Sequence, residues 1–220
     1  VGAKTIRATS TPGGFTADLS VTLTYGAATK VGFGTQAAGA VNGVAFTTQP
    51  TVEIQDVSGN KVDNSTASIT ASTSAGAVLG GTATNNATGG SLTFSGLKLT
   101  GSASDYTLTY ASGSLISAVQ NITNAPGAAT QISITGSSTS VNDQALALQP
   151  VVTVKDASGN TVTGSTASIT LTATGATIGG TVTMDAVAGV ANFSGKGVKL
   201  TGLVGAKTIR ATSTPGGFTA

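Results

Sequence analysis

Apolar and polar side chains alternate along this chain in short runs, and Gly, Ser, Asn or Pro interrupts the alternation roughly every 8 to 12 residues, the spacing of an all-β fold. A period of two sends successive side chains to opposite faces of a strand. From Thr51 onward, Val52 and Ile54 share one face, with Thr51, Glu53 and Gln55 on the other, and Val152 and Val154 repeat that parity. Leu97 and Leu99 point inward around Lys98, as Val198 and Leu200 do around Lys199. Further strands are expected over residues 67–71, 92–94, 106–110 and 15–23. No stretch carries a helical period of useful length.

The same patterns recur at two distances. Residues 1–17, VGAKTIRATSTPGGFTA, return unchanged as residues 204–220, a period of 203 residues. Within it lies a shorter unit: GAATKVGF at Gly26 is answered by GAATQISI at Gly127, QPTVEIQDVSGNKV at Gln49 by QPVVTVKDASGNTV at Gln149, and FSGLKLTG at Phe94 by FSGKGVKLTG at Phe193. Two diverged units of about 101 residues therefore alternate. The reading is residues 1–25 as the closing two strands of a preceding repeat, 26–126 as repeat A, and 127–220 as repeat B ending before its last strand. Residues 1–25 are expected to form a hairpin completed by another segment of the array. About seven strands per hundred residues is the count of an immunoglobulin-like β-sandwich.

TTQPTVEIQDVSGNKV, LQPVVTVKDASGNTVTGSTASITL, the two FSG…KLTG segments and GAATKVGF resemble the bacterial immunoglobulin-like repeats of very large cell-surface and adhesin-type proteins. The likeness spans nearly the whole chain. It implies tandem sandwiches that serve mainly as spacers in an extracellular location.

Composition narrows the chemistry. Only 8% of residues are charged, and the chain holds no Cys, His or Trp, so stability is expected from packing and not from disulfides or thiolate metal sites. Ten cations face eight anions, scattered singly; no cluster of Lys or Arg could neutralise several phosphates, so nucleic acid is not an expected partner. No apolar run approaches the roughly 18 residues that cross a bilayer, and membrane insertion of this segment is not expected. The opening Val, with no charged-then-apolar leader before it, fits mature internal sequence.

Candidate sites are few, and no catalytic, cofactor or metal residue is assigned. A Ser or Thr nucleophile lacks a His base, and no SxxK pattern supplies a Lys. Asp56, Ser58 and Asn60, with Asp156, Ser158 and Asn160, place oxygens at alternate positions like a calcium loop. Each offers one carboxylate where Ca²⁺ takes six to eight oxygens; a three-residue hairpin with Gly59 and Gly159 in the left-handed position explains the same residues. Lys98 and Lys199 are the shared candidates for an intramolecular isopeptide bond, but that needs a buried lysine and parity turns both outward. Asp105 and Tyr106 precede a strand as in a tyrosine corner, with Lys4 or Lys207 at the matching place; core packing of Tyr106 is the alternative. Asn64, Asn86, Asn121 and Asn192 open Asn-x-Ser/Thr triplets, expected on the surface.

The expected function is a structural repeat, a semi-rigid stalk, fibre or surface filament whose partners are neighbouring repeats and, through low charge, laterally packed rods. The alternative is an adhesive module contacting glycans or a partner surface. Sugar binding favours exposed aromatic platforms, and the chain has only Tyr25, Tyr106 and Tyr110 besides its Phe residues.

Overall fold

The computed structural model describes residues 1–220 as nineteen β-strands with no helix. The chain divides into two compact units. Unit 1 comprises Val1–Ala40, Ala45–Leu99 and Asp105–Thr123; unit 2 comprises Val41–Val44, Thr100–Ser104 and Asn124–Ala220. Unit 2 thus gathers two short loops that precede its main segment by many residues.

Unit 1 begins with β1 (Gly2–Thr9) and β2 (Thr16–Leu23), which pair only with each other, from Gly2 opposite Leu23 to Thr9 opposite Thr16. Both strands are exposed on both faces, with Leu19 61% exposed and Val21 41%. Arg7 and Asp18 bridge the strands at 2.9 Å. Such a ribbon buries almost no apolar surface, and isolated ribbons are marginal in water.

The body of unit 1 packs a three-stranded sheet against a four-stranded one. The first has the order β3 (Ala28–Thr35), β4 (Thr51–Asp56), β8 (Ser91–Thr93); the second runs β11 (Ala118–Thr123), β10 (Asp105–Ala111), β5 (Ser68–Thr73), β7 (Thr84–Asn86). β6 (Ala77–Gly80) pairs with β9 (Lys98–Gly101). Alternation builds the core: β4 and β10 bury every second residue, so that Val52, Ile54, Leu108 and Tyr110 are excluded from solvent, and Ile69 of β5 joins them. Each such aliphatic side chain contributes roughly 2 kcal/mol of burial. Leu97 and Leu99 belong to the same core, with Lys98 half-exposed between them.

Unit 2 repeats the plan. β12 (Gln131–Thr135), β13 (Val151–Lys155) and β17 (Val190–Asn192) form one sheet, while β16 (Thr183–Asp185), β14 (Ser168–Thr174) and β19 (Thr208–Thr214) form another. β15 (Thr177–Gly179) pairs with β18 (Lys199–Thr201). Val152, Val154, Ile169 and Phe193 are fully buried. β19 corresponds to β10, but only a short return comes after it. Ala211 and Ala220 exchange both backbone hydrogen bonds at 2.9 and 3.1 Å, and Thr212 lies opposite Thr219.

Candidate functional site

The recurring polar feature is the Asp-x-Ser-Gly-Asn turn. At Asp56 the backbone closes a three-residue loop: Asp56 N–H donates to Asn60 O and Gly59 N–H to Asp56 O, with Gly59 at φ 84°. Gly159 holds φ 82° in the second copy, a conformation that costs an L side chain about 1 kcal/mol or more. The glycine is required by the turn.

Each Asp side chain then gathers N–H groups. Asp56 Oδ1 accepts from Ser58 N and Asn60 N, and Oδ2 from Gly26 N and Asn60 Nδ2, all at 2.9 Å. The Gly26 amide and the Asn60 side chain lower the Asp56 pKa to about 2. Asp156 accepts the corresponding four from Ser158, Asn160, Gly127 and the Asn160 side chain, and a fifth from Asn42 Nδ2 at 2.8 Å. Burial alone would push the Asp156 carboxyl up; the Asn160, Gly127 and Asn42 donors outweigh it and hold it well below the usual range. N–H dipoles converging on a carboxylate take the lone pairs a cation would use, and Ser58 and Asn60 turn amides toward it. The turn therefore acts as an anchor for the first residue of each repeat, Gly26 or Gly127.

In unit 2 the anchor extends into a lattice. Asn42 also donates to Ser158 Oγ at 2.9 Å, and its Oδ1 accepts from Gly101 N at 2.9 Å. Asn160 Nδ2 donates to Gly101 O at 2.9 Å, and its Oδ1 accepts from Ala103 N at 2.8 Å. Asn42 is 7% exposed and Asp156 1%. A side chain on Gly127 would start 2.8 Å from Asn42 O, so only glycine fits there. Sequence reasoning found Asp156 and Asn160 but missed Asn42 and Gly101. A signal existed: Val-Asn recurs at Val41 and Val141, and Leu-Thr-Gly at Leu99 and Leu200.

The remaining candidates are dispersed. Lys199 Nζ lies 2.7 Å from Asp143 on the surface, with a side-chain exposure of 40%; the Lys98 side chain lies along Gly80. The Tyr106 ring is buried, and its hydroxyl donates to Gly76 O at 3.1 Å, so the residue packs in the core and ties β10 to the turn after β5, 30 residues earlier, instead of bonding the backbone just before its own strand as a corner tyrosine does. Lys207 runs along Gly175 in the matching place. Asn64, Asn86, Asn121 and Asn192 are all exposed, and no helix is long and apolar enough to cross a membrane. Unit 2 also carries a groove of about 520 Å³ beside β19, lined by Ile134, Leu146, Leu200, Lys207 and Ile209 among others.

No protein family and no curated relative matches the chain. Among solved structures, it is similar to FdeC, described as a broadly conserved Escherichia coli adhesin, at 15% identity and a TM-score of 0.42, covering 96% of this chain and 70% of that one. It is also similar to β-glucuronidase 3 of Bacteroides uniformis at 9% identity and a TM-score of 0.31, covering 86% of this chain and 24% of that one. Likenesses this distant carry no argument about function.

Proposed function

We propose that the chain is a structural extracellular repeat that contributes length and stiffness to a stalk, fibre or surface filament. One observation carries this reading. The strongest polar constellation in each unit is spent on fastening the repeat's first residue, Gly26 to Asp56 and Gly127 to Asp156, and leaves no carboxylate oxygen directed at a substrate. Repetition supports the same reading, since the unchanged return of residues 1–17 makes length a matter of copying. Gly26 directly follows the Thr24–Tyr25 end of the segment before it, and only Asn124–Pro126 separate β11 from Gly127; spacers so short do not behave as flexible tethers. Tyr106 and Tyr110 are buried and so offer no stacking platform for sugars. Catalysis has no part in this reading. The test is electron microscopy of arrays carrying one, two and three 203-residue periods. Contour length is expected to grow in proportion to period number. Particles that grow only in diameter would overturn the reading.

A further inference from the structure

Asn42 is followed by Gly43, and Asn-Gly occurs nowhere else in the chain. Asparagine is thermolabile, and this pair is its most reactive setting. The backbone nitrogen of the next residue can attack the side-chain Cγ and expel the amide nitrogen as ammonia, and a following glycine, lacking Cβ, leaves the approach unhindered. Water then opens the resulting succinimide to aspartate or isoaspartate. Asparagine and water thus become an acidic residue and ammonia, and no other reactant is consumed.

In unit 2 the fold holds this pair away from the reaction. Asn42 and Gly43 are the central residues of a turn closed by Val44 N–H donating to Val41 O at 2.9 Å, with Gly43 at φ 76°. This is the type II form, in which the first central residue is extended, so the Asn42 carbonyl, and not the Gly43 nitrogen, lies nearer its side chain. Ring closure requires that peptide group to rotate. Asn42 N–H donates to Ala125 O at 2.9 Å, and the Asn42 carbonyl packs so close to Gly127 that a Cβ there would start 2.8 Å from it. The side chain is fixed as firmly. Nδ2, the leaving group, donates to Asp156 Oδ2 at 2.8 Å and Ser158 Oγ at 2.9 Å, and Oδ1 accepts from Gly101 N at 2.9 Å.

The matching turn shows that a side chain is accepted where Gly43 stands. Gln144 N–H donates to Val141 O at 3.1 Å, and Asp143 takes the place of Gly43 at φ 62°. A Cβ on Gly43 would meet nothing within 4 Å. The turn therefore does not impose the reactive pair.

We propose that Asn42 is a fold-gated deamidation site: closed, the lattice of Asp156, Ser158 and Gly101 protects it, and each opening exposes it to a modification that prevents the lattice from re-forming. Aspartate at position 42 keeps the acceptor for Gly101, but when ionised it has no hydrogen to donate. Its carboxylate would stand against that of Asp156, a like-charge pair in a buried site. Isoaspartate lengthens the backbone inside the turn and carries the side chain out of place. Unit 2 thus accumulates an irreversible mark of its own openings, whether or not the repeat serves as a stalk.

The test is peptide mass spectrometry of the full chain aged in mildly alkaline buffer, folded and in guanidinium chloride. Loss of the Asn42 amide is expected to be roughly a hundredfold slower in the folded chain, since it must wait for the lattice to open. Ser158→Ala, at an exposed position, should raise the folded-state rate about fivefold, the effect of one hydrogen bond, and leave the denatured rate unchanged. Gly43→Asp, which copies the matching turn, should melt near the parent and abolish the fast loss in denaturant. Asp156 is the one ionisable side chain bonded to Asn42. Asn42→Asp should therefore melt below the parent at neutral pH, by a gap that narrows as acid protonates one of the paired carboxyls. Equal rates in folded and denatured chain, a folded rate indifferent to Ser158→Ala, a denatured rate unmoved by Gly43→Asp, or an Asn42→Asp variant as stable as the parent at neutral pH overturns the proposal.

Discussion

β10 and β19 occupy matching places in two sandwiches, but one is an interior strand of its sheet and the other ends it. In unit 1, Leu108 and Tyr110 are sealed by β11, and Gln120 of β11 ties the strand across the flank, accepting from Ala37 N at 2.9 Å and donating to Ala37 O at 2.6 Å. In unit 2, Ile209 and Lys207 stay half-exposed beside the groove. The two frameworks share their strand order, and they differ both at this edge, where β11 lies beside β10, and in the core, where Tyr110 of unit 1 stands in the place of Ala211.

The largest expected contrast comes from deleting matched side chains. Leu108→Ala should cost unit 1 about 3 kcal/mol, the usual range for a sealed leucine, whereas Ile209→Ala should cost unit 2 about 1 kcal/mol, because water already reaches that site. Denaturant titration of each variant reads both; equal losses would break the comparison. Gln120→Ala comes next, at about 2 kcal/mol, since it leaves the Ala37 N–H and C=O unpaired in a buried site. Its counterpart Leu19→Ala should fall within about 0.5 kcal/mol of the parent chain.

Acid sharpens the comparison between the two turns. Both Asp pKa values are depressed in the folded state, so each turn contributes stability that is complete above the ordinary Asp value of 3.8 and declines as pH falls toward the folded value. Melting points followed downward from pH 5 should decline in both units. Unit 1 should level off below about pH 2, once Asp56 is protonated in the folded state as well, whereas the additional Asn42 donor that Asp156 holds should extend the decline of unit 2 to lower pH. Asn42→Ala should bring the unit 2 curve toward that of unit 1. Identical curves before the substitution would show that the fifth donor is inert.

A further small effect concerns Tyr110. Its hydroxyl is buried without a partner and burial pushes its pKa up, while its ring packs against Phe33 and Phe94 at 5.6 Å. Unit 2 has Ala211 at the matching place. Tyr110→Phe should therefore be neutral or stabilising by up to about 1 kcal/mol in thermal melts; a clear loss would reveal a hydrogen bond at that hydroxyl.

Much of this fold was legible in the sequence because it is written with a period of two. Val52, Ile54, Val152 and Val154 are all fully buried, and Leu97 and Leu99 enclose Lys98. The turn glycines were legible for a different reason: a three-residue hairpin admits few residues at φ > 0. Asn42 and Gly101 were not, because a side chain that bonds Asp156 across 114 residues leaves no local pattern. Gln120 was hidden too, since a buried polar residue on a strand breaks the alternation that identifies its neighbours. The hydroxyl contact of Tyr106 needed coordinates, as its acceptor Gly76 lies 30 residues earlier on another turn.

The contrast between the flanks is tested most directly by amide hydrogen exchange on dilute, monomeric chain. N–H groups of Tyr106 and Leu108 point at β11, while those of Lys207 and Ile209 point into the groove. The first pair is expected to exchange only when unit 1 opens, and the second pair at least about a hundredfold faster. Equal protection of Ile209 and Leu108 would mean that the flank of unit 2 is already closed, and would contradict the contrast between an interior strand and an open edge.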